Sequence, residues 1–156
     1  ALASALPAQA SFTNYGRGCG LPGSPPPLIR FTGLPQLGAT YTVQQVALPN
    51  SITPVSIDLP ILVSGLQQVS LPVPQYSSGQ PASCLQLTSI DVFEIMPMTS
   101  PNGFATSTQW SVPNNPNLIG LQYHHQWASL YSRCAGGTCT AQLVRVSDAA
   151  VVTVGL

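Results

Sequence analysis

Apolar and polar residues alternate along this chain in short runs, and proline or glycine interrupts each run before it reaches helical length. Runs rich in Val, Ile, Thr, Tyr and Leu between such breaks are the pattern of many short strands. The clearest case is 121–128, where Leu121, Tyr123, His125 and Trp127 alternate with Gln122, His124, Gln126 and Ala128. A two-residue period puts the bulkier set on one face of a strand. The pattern predicts strands at 10–15, 28–32, 40–48, 55–63, 67–71, 84–95, 105–112, 120–131, 141–147 and 151–154. One helical turn is expected after Asn115-Pro116, an Asn cap followed by proline at the first helical position. Residues 21–27, with Pro25-Pro26-Pro27, and 76–83 read as loops. No repeat or dividing linker is visible, so 13–156 reads as one domain behind an apolar extension, 1–12. Strands this short and closely spaced predict an all-β fold, an antiparallel, jelly-roll-like β-sandwich of about eight to ten strands.

Composition changes this picture in one respect. Charged residues are 5% of the 156, against about 25% in ordinary soluble domains. Lysine is absent, and Arg17, Arg30, Arg133 and Arg145 balance Asp58, Asp91, Glu94 and Asp148 to a net charge of zero. A surface of Ser, Thr, Gln, Asn and Pro has little long-range repulsion, so identical copies can pack closely. The same deficit argues against nucleic acid and against an anionic membrane surface, both of which need clustered Lys and Arg. No apolar run of about 18 residues exists to span a membrane.

Cys19, Cys84, Cys134 and Cys139 make an even set in a lysine-free chain, which reads as two disulfides formed in an oxidising compartment. Three pairings are possible in principle. The two glycines between Cys134 and Cys139 let the chain fold back, so these two are paired, and Cys19 with Cys84. The spacings lack the two CxxC knuckles of a zinc site. Ala8-Gln9-Ala10 fits the small-x-small rule of signal cleavage, so the first ten residues resemble a signal-peptide remnant. The alternative is an apolar segment docked on something, since free termini fray.

Catalytic equipment is sparse. Asp91 and Glu94 fall three apart on one expected strand and so face opposite ways. His124 and His125 are adjacent on another and cannot share a metal without a bulge. One of the two is expected to pack beside Trp127 while the other faces solvent. A serine nucleophile would need one of these histidines and then an acid. Neither G-x-S-x-G nor H-E-x-x-H occurs, and the glycines of 16–23 make no phosphate loop. The chain therefore reads as no enzyme, with no cofactor and no metal. Tyr15, Tyr41, Tyr76, Trp110, Tyr123, Trp127 and Tyr131 are candidates for stacking on a sugar, with Trp110, Trp127 and Tyr123 the ligand-facing set.

Three stretches carry a resemblance. They are Phe12-Thr13-Asn14-Tyr15-Gly16-Arg17-Gly18-Cys19, then Gly33-Leu34-Pro35-Gln36-Leu37-Gly38-Ala39-Thr40-Tyr41-Thr42, and most of all 110–123. The last holds Pro113-Asn114-Asn115-Pro116-Asn117-Leu118-Ile119-Gly120 before an aromatic strand that reaches Gln126. With a final Val152-Thr153-Val154-Gly155, they resemble secreted domains of planctomycete-type bacteria. The resemblance implies secretion and a β-sandwich, and no activity.

The leading expectation is thus a secreted, cell-surface structural protein, a filament or surface-layer subunit that assembles with copies of itself. Lysine, the usual guard of exposed strand edges, is missing. Ala1, Leu2, Ala3, Leu6, Ala8, Ala10 and Phe12 would form a donor strand completing a neighbour's sheet. The alternative is a module that binds carbohydrate or another cell-surface polysaccharide without catalysis. A hydrolase assembled from Asp58, Asp91, Glu94 and either histidine is the third.

Overall fold

The computed structural model describes residues 8–20, 25–47, 56–73, 84–97, 104–135 and 138–156. Ten strands form among them: β1 Ser11–Tyr15, β2 Leu28–Thr32, β3 Thr40–Ala47, β4 Ser56–Gly65, β5 Gln68–Pro72, β6 Leu85–Thr88, β7 Val92–Ile95, β8 Phe104–Ser111, β9 Gln122–Ala135 and β10 Thr138–Thr153. All pair antiparallel, in a five-stranded sheet β1-β10-β9-β4-β7, a three-stranded sheet β2-β3-β8 and a ribbon β5-β6. The two larger sheets face each other as a β-sandwich.

Alternation decides which side chains lie between them. Tyr123, His125, Trp127 and Ser129 of β9 point inward with Leu62 and Ser64 of β4, and with Ala150 and Val152 of β10. Ile29, Tyr41 and Val43 meet them from the smaller sheet, and Trp127, Leu62, Ile29 and Val43 are wholly buried. The opposite face of β9 and β10, with Ala128, Leu130, Val144 and Val146, packs on Cys19, Val73 and Cys84 beneath the ribbon. Gln126 anchors that outer layer. Its Oε1 accepts from the Leu87 amide at 2.8 Å, and its Nε2 donates to Leu85 O and Ser147 O at 3.1 and 3.0 Å.

The Cys19–Cys84 disulfide forms as expected, with Cα atoms 5.2 Å apart and a sequence separation of 65. It clamps the chain before β6 to the Cys19 segment, which bridges to Val146 of β10 through two backbone hydrogen bonds. Cys134 and Cys139 face each other directly in the β9–β10 register, as a cross-strand pair requires. Their side chains lie outside the described residues.

Three sequence expectations are corrected. The single strand expected over 84–95 is two strands in different layers. The break at 89–91 is held because Asp91 Oδ2 accepts from the Leu66 amide at 2.7 Å and Ser89 Oγ from the Gln67 amide at 3.1 Å. Conversely, the strands expected at 141–147 and 151–154 merge into one long β10, which ends at Thr153 and has irregular register between Val146 and Ala149. There Ser147 Oγ fills the gap in the ladder by accepting from the Trp127 amide at 3.0 Å. Finally, the sandwich starts earlier than residue 13. Phe12 pairs with Val152 of its own chain, Ala10 is buried, and Gly155 packs against the backbone of Ala8–Ala10. Ala8, Ala10 and Phe12 therefore serve their own chain and are not available to a neighbour. Ala1, Leu2, Ala3 and Leu6 lie outside the described residues, as do the expected loop 76–83 and residues 21–24 of the loop 21–27. The turn after Asn115 is a 3-10 turn over Pro116–Leu118, and the Asn115 side chain caps it as expected.

Candidate functional site at the open side of the sandwich

The two long sides of the sandwich differ. On one, β1 and β2 are the sheet edges, and the rings of Phe12 and Phe31 stack across them, 4.0 Å apart and 8° from parallel. Asp148 ties the same side together, accepting from Asn14 Nδ2 at 2.7 Å and from the Ile29 amide at 3.0 Å. On the other side, β7 and β8 are the edges, and each pairs with one neighbour only among the described residues. One side-chain tie crosses there, from Thr108 Oγ1 to the two Glu94 oxygens at 3.1 and 2.9 Å. Next to it the sheets stand apart and leave an open, almost wholly apolar cleft of about 360 Å³, lined by Val92, Trp110, Val112, Leu118, Leu121 and Tyr123.

The cleft exists because the Pro113–Gly120 connection crosses the end of the sandwich instead of filling it. Its 3-10 turn exposes Pro116 and Asn117 and half-buries Leu118 as part of the lining. Gly120 ends the crossing at φ +83°, a conformation that strains any residue with a Cβ. Trp110 and Tyr123 line the cleft, but their rings stack on each other, 6.2 Å apart and 23° from parallel. They do not form a flat platform side by side. Trp127, expected to face a ligand, is fully buried in the core, because it shares the inward face of β9 with His125. That expectation is corrected, and Trp110 and Tyr123 alone reach the cleft.

Behind the cleft wall lies a polar relay. Ser64 Oγ is 2.7 Å from His125 Nδ1, His125 Nε2 is 2.9 Å from the Tyr41 hydroxyl, and that hydroxyl is 2.7 Å from the Tyr123 hydroxyl. A neutral imidazole donates with one nitrogen and accepts with the other, so one tautomer sets the direction of the whole chain. Burial, with a smaller contribution from His124, pushes His125 down to about 3. Burial raises the Tyr41 hydroxyl far above the usual phenol range, and the neighbouring Tyr123 adds to this. The arrangement looks like a Ser–His pair but has a phenol where a catalytic triad has a carboxylate. A phenol held neutral cannot offset an imidazolium, and a base titrating near 3 takes no proton from serine at neutral pH. The relay's chemistry is that of a satisfied polar core.

His124 points the other way, as strand alternation requires. Its Nδ1 lies 3.0 Å from the Tyr15 hydroxyl, with the two rings edge to face. Burial lowers His124 and pushes Tyr15 up to about 12. Neither histidine matches the expected environment fully, since His125 packs edge-on to Trp110, 4.7 Å away, and His124 is half-buried. No group of three or more His, Cys, Asp or Glu able to hold a metal exists among the described residues. The carboxylates are engaged separately: Asp91 at the 89–91 turn, Glu94 on Thr108, Asp148 between β1 and β2. Tyr76 and the side chains of Asp58 and Tyr131 lie outside the described set. Sequence reasoning did not single out Ser64, or the joining of Tyr41 to His125. The only signal for either was the inward phase of β3 and β4, which becomes specific once the two sheets are superposed.

The exposed edge of β7 is the second feature of this side. Val92 is 55% exposed, Phe93 61% and Ile95 55%, and no lysine guards them. No family model, curated protein or solved structure matches the chain. No helix among the described residues is long and apolar enough to cross a membrane.

Proposed function

We propose that this protein is an extracellular structural subunit that assembles with copies of itself into a filament or surface layer. The observation that carries the reading is the β7 edge, a strand with three large apolar side chains more than half exposed. Soluble proteins usually blunt such an edge with lysine, proline or a covering element. Zero net charge supports the reading because copies approach without repulsion. The Cys19–Cys84 disulfide supports an oxidising compartment. Light scattering with size exclusion across a concentration series, followed by negative-stain microscopy, tests it. Concentration-dependent oligomers are expected, and a lone particle at the highest concentration would refute it.

A second reading, a binding module without catalysis, rests on the Trp110–Tyr123 cleft. The lining favours an apolar group over a sugar, whose hydroxyls need convergent polar partners. Polysaccharide pull-down with Trp110→Ala as control separates it from the first, since only the binding reading expects retention that the substitution abolishes.

A further inference from the structure

We infer that copies of this chain join edge to edge through β7, each extending the other's five-stranded sheet by antiparallel pairing. The inference rests on the self-assembly reading and names one of its surfaces and its partner, a second copy; the contact uses the same patch on both copies and closes a pair, so a filament or layer needs a further contact elsewhere.

The ladder inside the sheet shows which backbone groups β7 offers. The Met96 amide donates to Pro60 O at 2.9 Å, in register with the Ile61–Ile95 and Leu62–Glu94 pairs. Backbone groups along an antiparallel strand turn alternately toward and away from a given neighbour. Met96, Glu94 and Val92 therefore face β4, and the N–H and C=O of Phe93 and Ile95 face outward. These are the groups a further strand would use. The strand brings its own apolar cover, because Phe93 and Ile95 lie on the outer face and Val92 on the cleft face.

The patch continues beyond the strand. Leu66 is 63% exposed and Ile90 56%, and Asp91 binds the Leu66 amide, which sets both residues beside β7. These five side chains lie on both faces of the edge and expose roughly 500 Å² per copy, so a pair that covered them completely would bury at most about 1,000 Å², the lower bound for a specific interface. A second copy is the occupant that supplies an equal apolar patch, an equal set of unpaired backbone groups and no excess of charge. Glu94 is the only ionisable side chain on the strand itself, and Thr108 already holds it.

Two substitutions test the inference. Phe93→Lys places a charge in the patch. Ile95→Pro removes an outward N–H and leaves the β4 ladder intact, since proline is tolerated on a strand edge. Leu71→Lys, 52% exposed on the separate ribbon, controls for general loss of apolar surface. Self-association is measured by sedimentation velocity, with circular dichroism verifying the fold. The expected result is that Phe93→Lys and Ile95→Pro each raise the half-association concentration at least about tenfold while Leu71→Lys does not. In the unaltered protein, raising concentration should slow hydrogen exchange at the Phe93 and Ile95 amides, a readout that needs no variant. Association that survives both substitutions, with no added protection at these amides, overturns the β7 contact and leaves self-assembly standing. A wild-type chain that never associates removes both.

Discussion

Acid should destabilise this fold through one buried imidazole, and the size of the effect follows from the His125 site. His125 is wholly enclosed and bonded to Ser64 and Tyr41, two neutral hydroxyls. Protonation would place a cation where no described group offsets it, which is why burial pushes it down to about 3. In the unfolded chain it titrates near the ordinary value, about 6.5. Between those values the unfolded state binds a proton that the folded state does not, so stability falls as pH falls. The contribution is complete above 6.5 and is lost progressively toward 3. Each pH unit in that window costs about 1.4 kcal/mol, so about 3 kcal/mol is lost between pH 6.5 and 4.5. That is a large share of a typical 5–15 kcal/mol. Urea unfolding at pH 7, 6, 5 and 4.5, on the native chain and on His125→Gln, measures it. The variant should be less stable at pH 7 by roughly 1–3 kcal/mol, from broken bonds in the relay. The gap should then close or reverse by pH 4.5, because the variant has no proton to take up there. His124 and the carboxylates are common to both proteins and cancel. Parallel pH curves for the two would refute the argument.

Gln126→Ala should cost about 2–4 kcal/mol, because it strips a buried amide that bonds Leu85, Leu87 and Ser147 and leaves those backbone groups unpaired; the denaturation midpoint reports it, and the outer ribbon should lose exchange protection first. Replacing Cys19 and Cys84 together with alanine should cost about 4 kcal/mol, the chain-entropy value for a 65-residue loop, measured by thermal unfolding. Gly65→Ala should destabilise by about 1–3 kcal/mol, since its Cβ would meet the Ser89 carbonyl oxygen and hydroxyl in the β4–β6 crowding. Gly38→Ala, whose new methyl has room beside Asn114, should be limited to the strain of its positive φ.

Strands bounded by proline and glycine were legible from local pattern: 28–32 is β2 to the residue, and the Asn115 cap lies where asparagine before proline placed it. The failures came where a side chain stands in for backbone. Asp91 and Ser89 bond amides across the 89–91 turn, so a run rich in β-formers splits between two layers. Ser147 does the reverse, bridging an irregularity so that two expected strands become one. Both depend on a partner more than 15 residues away in sequence, which no local window contains. The Cys19–Cys84 bond followed by elimination from the short Cys134–Cys139 hairpin, whereas the cleft did not follow from anything local. Its aromatic wall was visible as Trp110 and Tyr123, but burial of Trp127 depends on which face of β9 meets the smaller sheet. The motif that carries the resemblance gains a physical reading here. Its proline-rich part crosses the end of the sandwich, and its closing Gln126 is the tether of the outer ribbon.

Having only eight charged residues, the chain pins its interior with neutral polar groups. Gln45 donates to Ser129 at 2.7 Å, Ser64 joins His125, and Gln126 and Ser147 hold the layers together, all of them buried. Such bonds are directional, so they fix a register that alternating Val and Thr alone would let slip. This separates what the fold needs from what its edge displays. The β1–β2 side is sealed by stacked rings and by Asp148, while the β7 side keeps Phe93 and Ile95 in water. Side chains more than half exposed contribute little to the stability of the single chain, and substituting them should move it by no more than about 0.5 kcal/mol. An apolar edge that the fold does not use and solubility disfavours is accounted for when another molecule covers it. On the proposed assembly, folding and association should respond to different substitutions: changes at His125 and Gln126 should move the first, and changes at Phe93 and Ile95 the second.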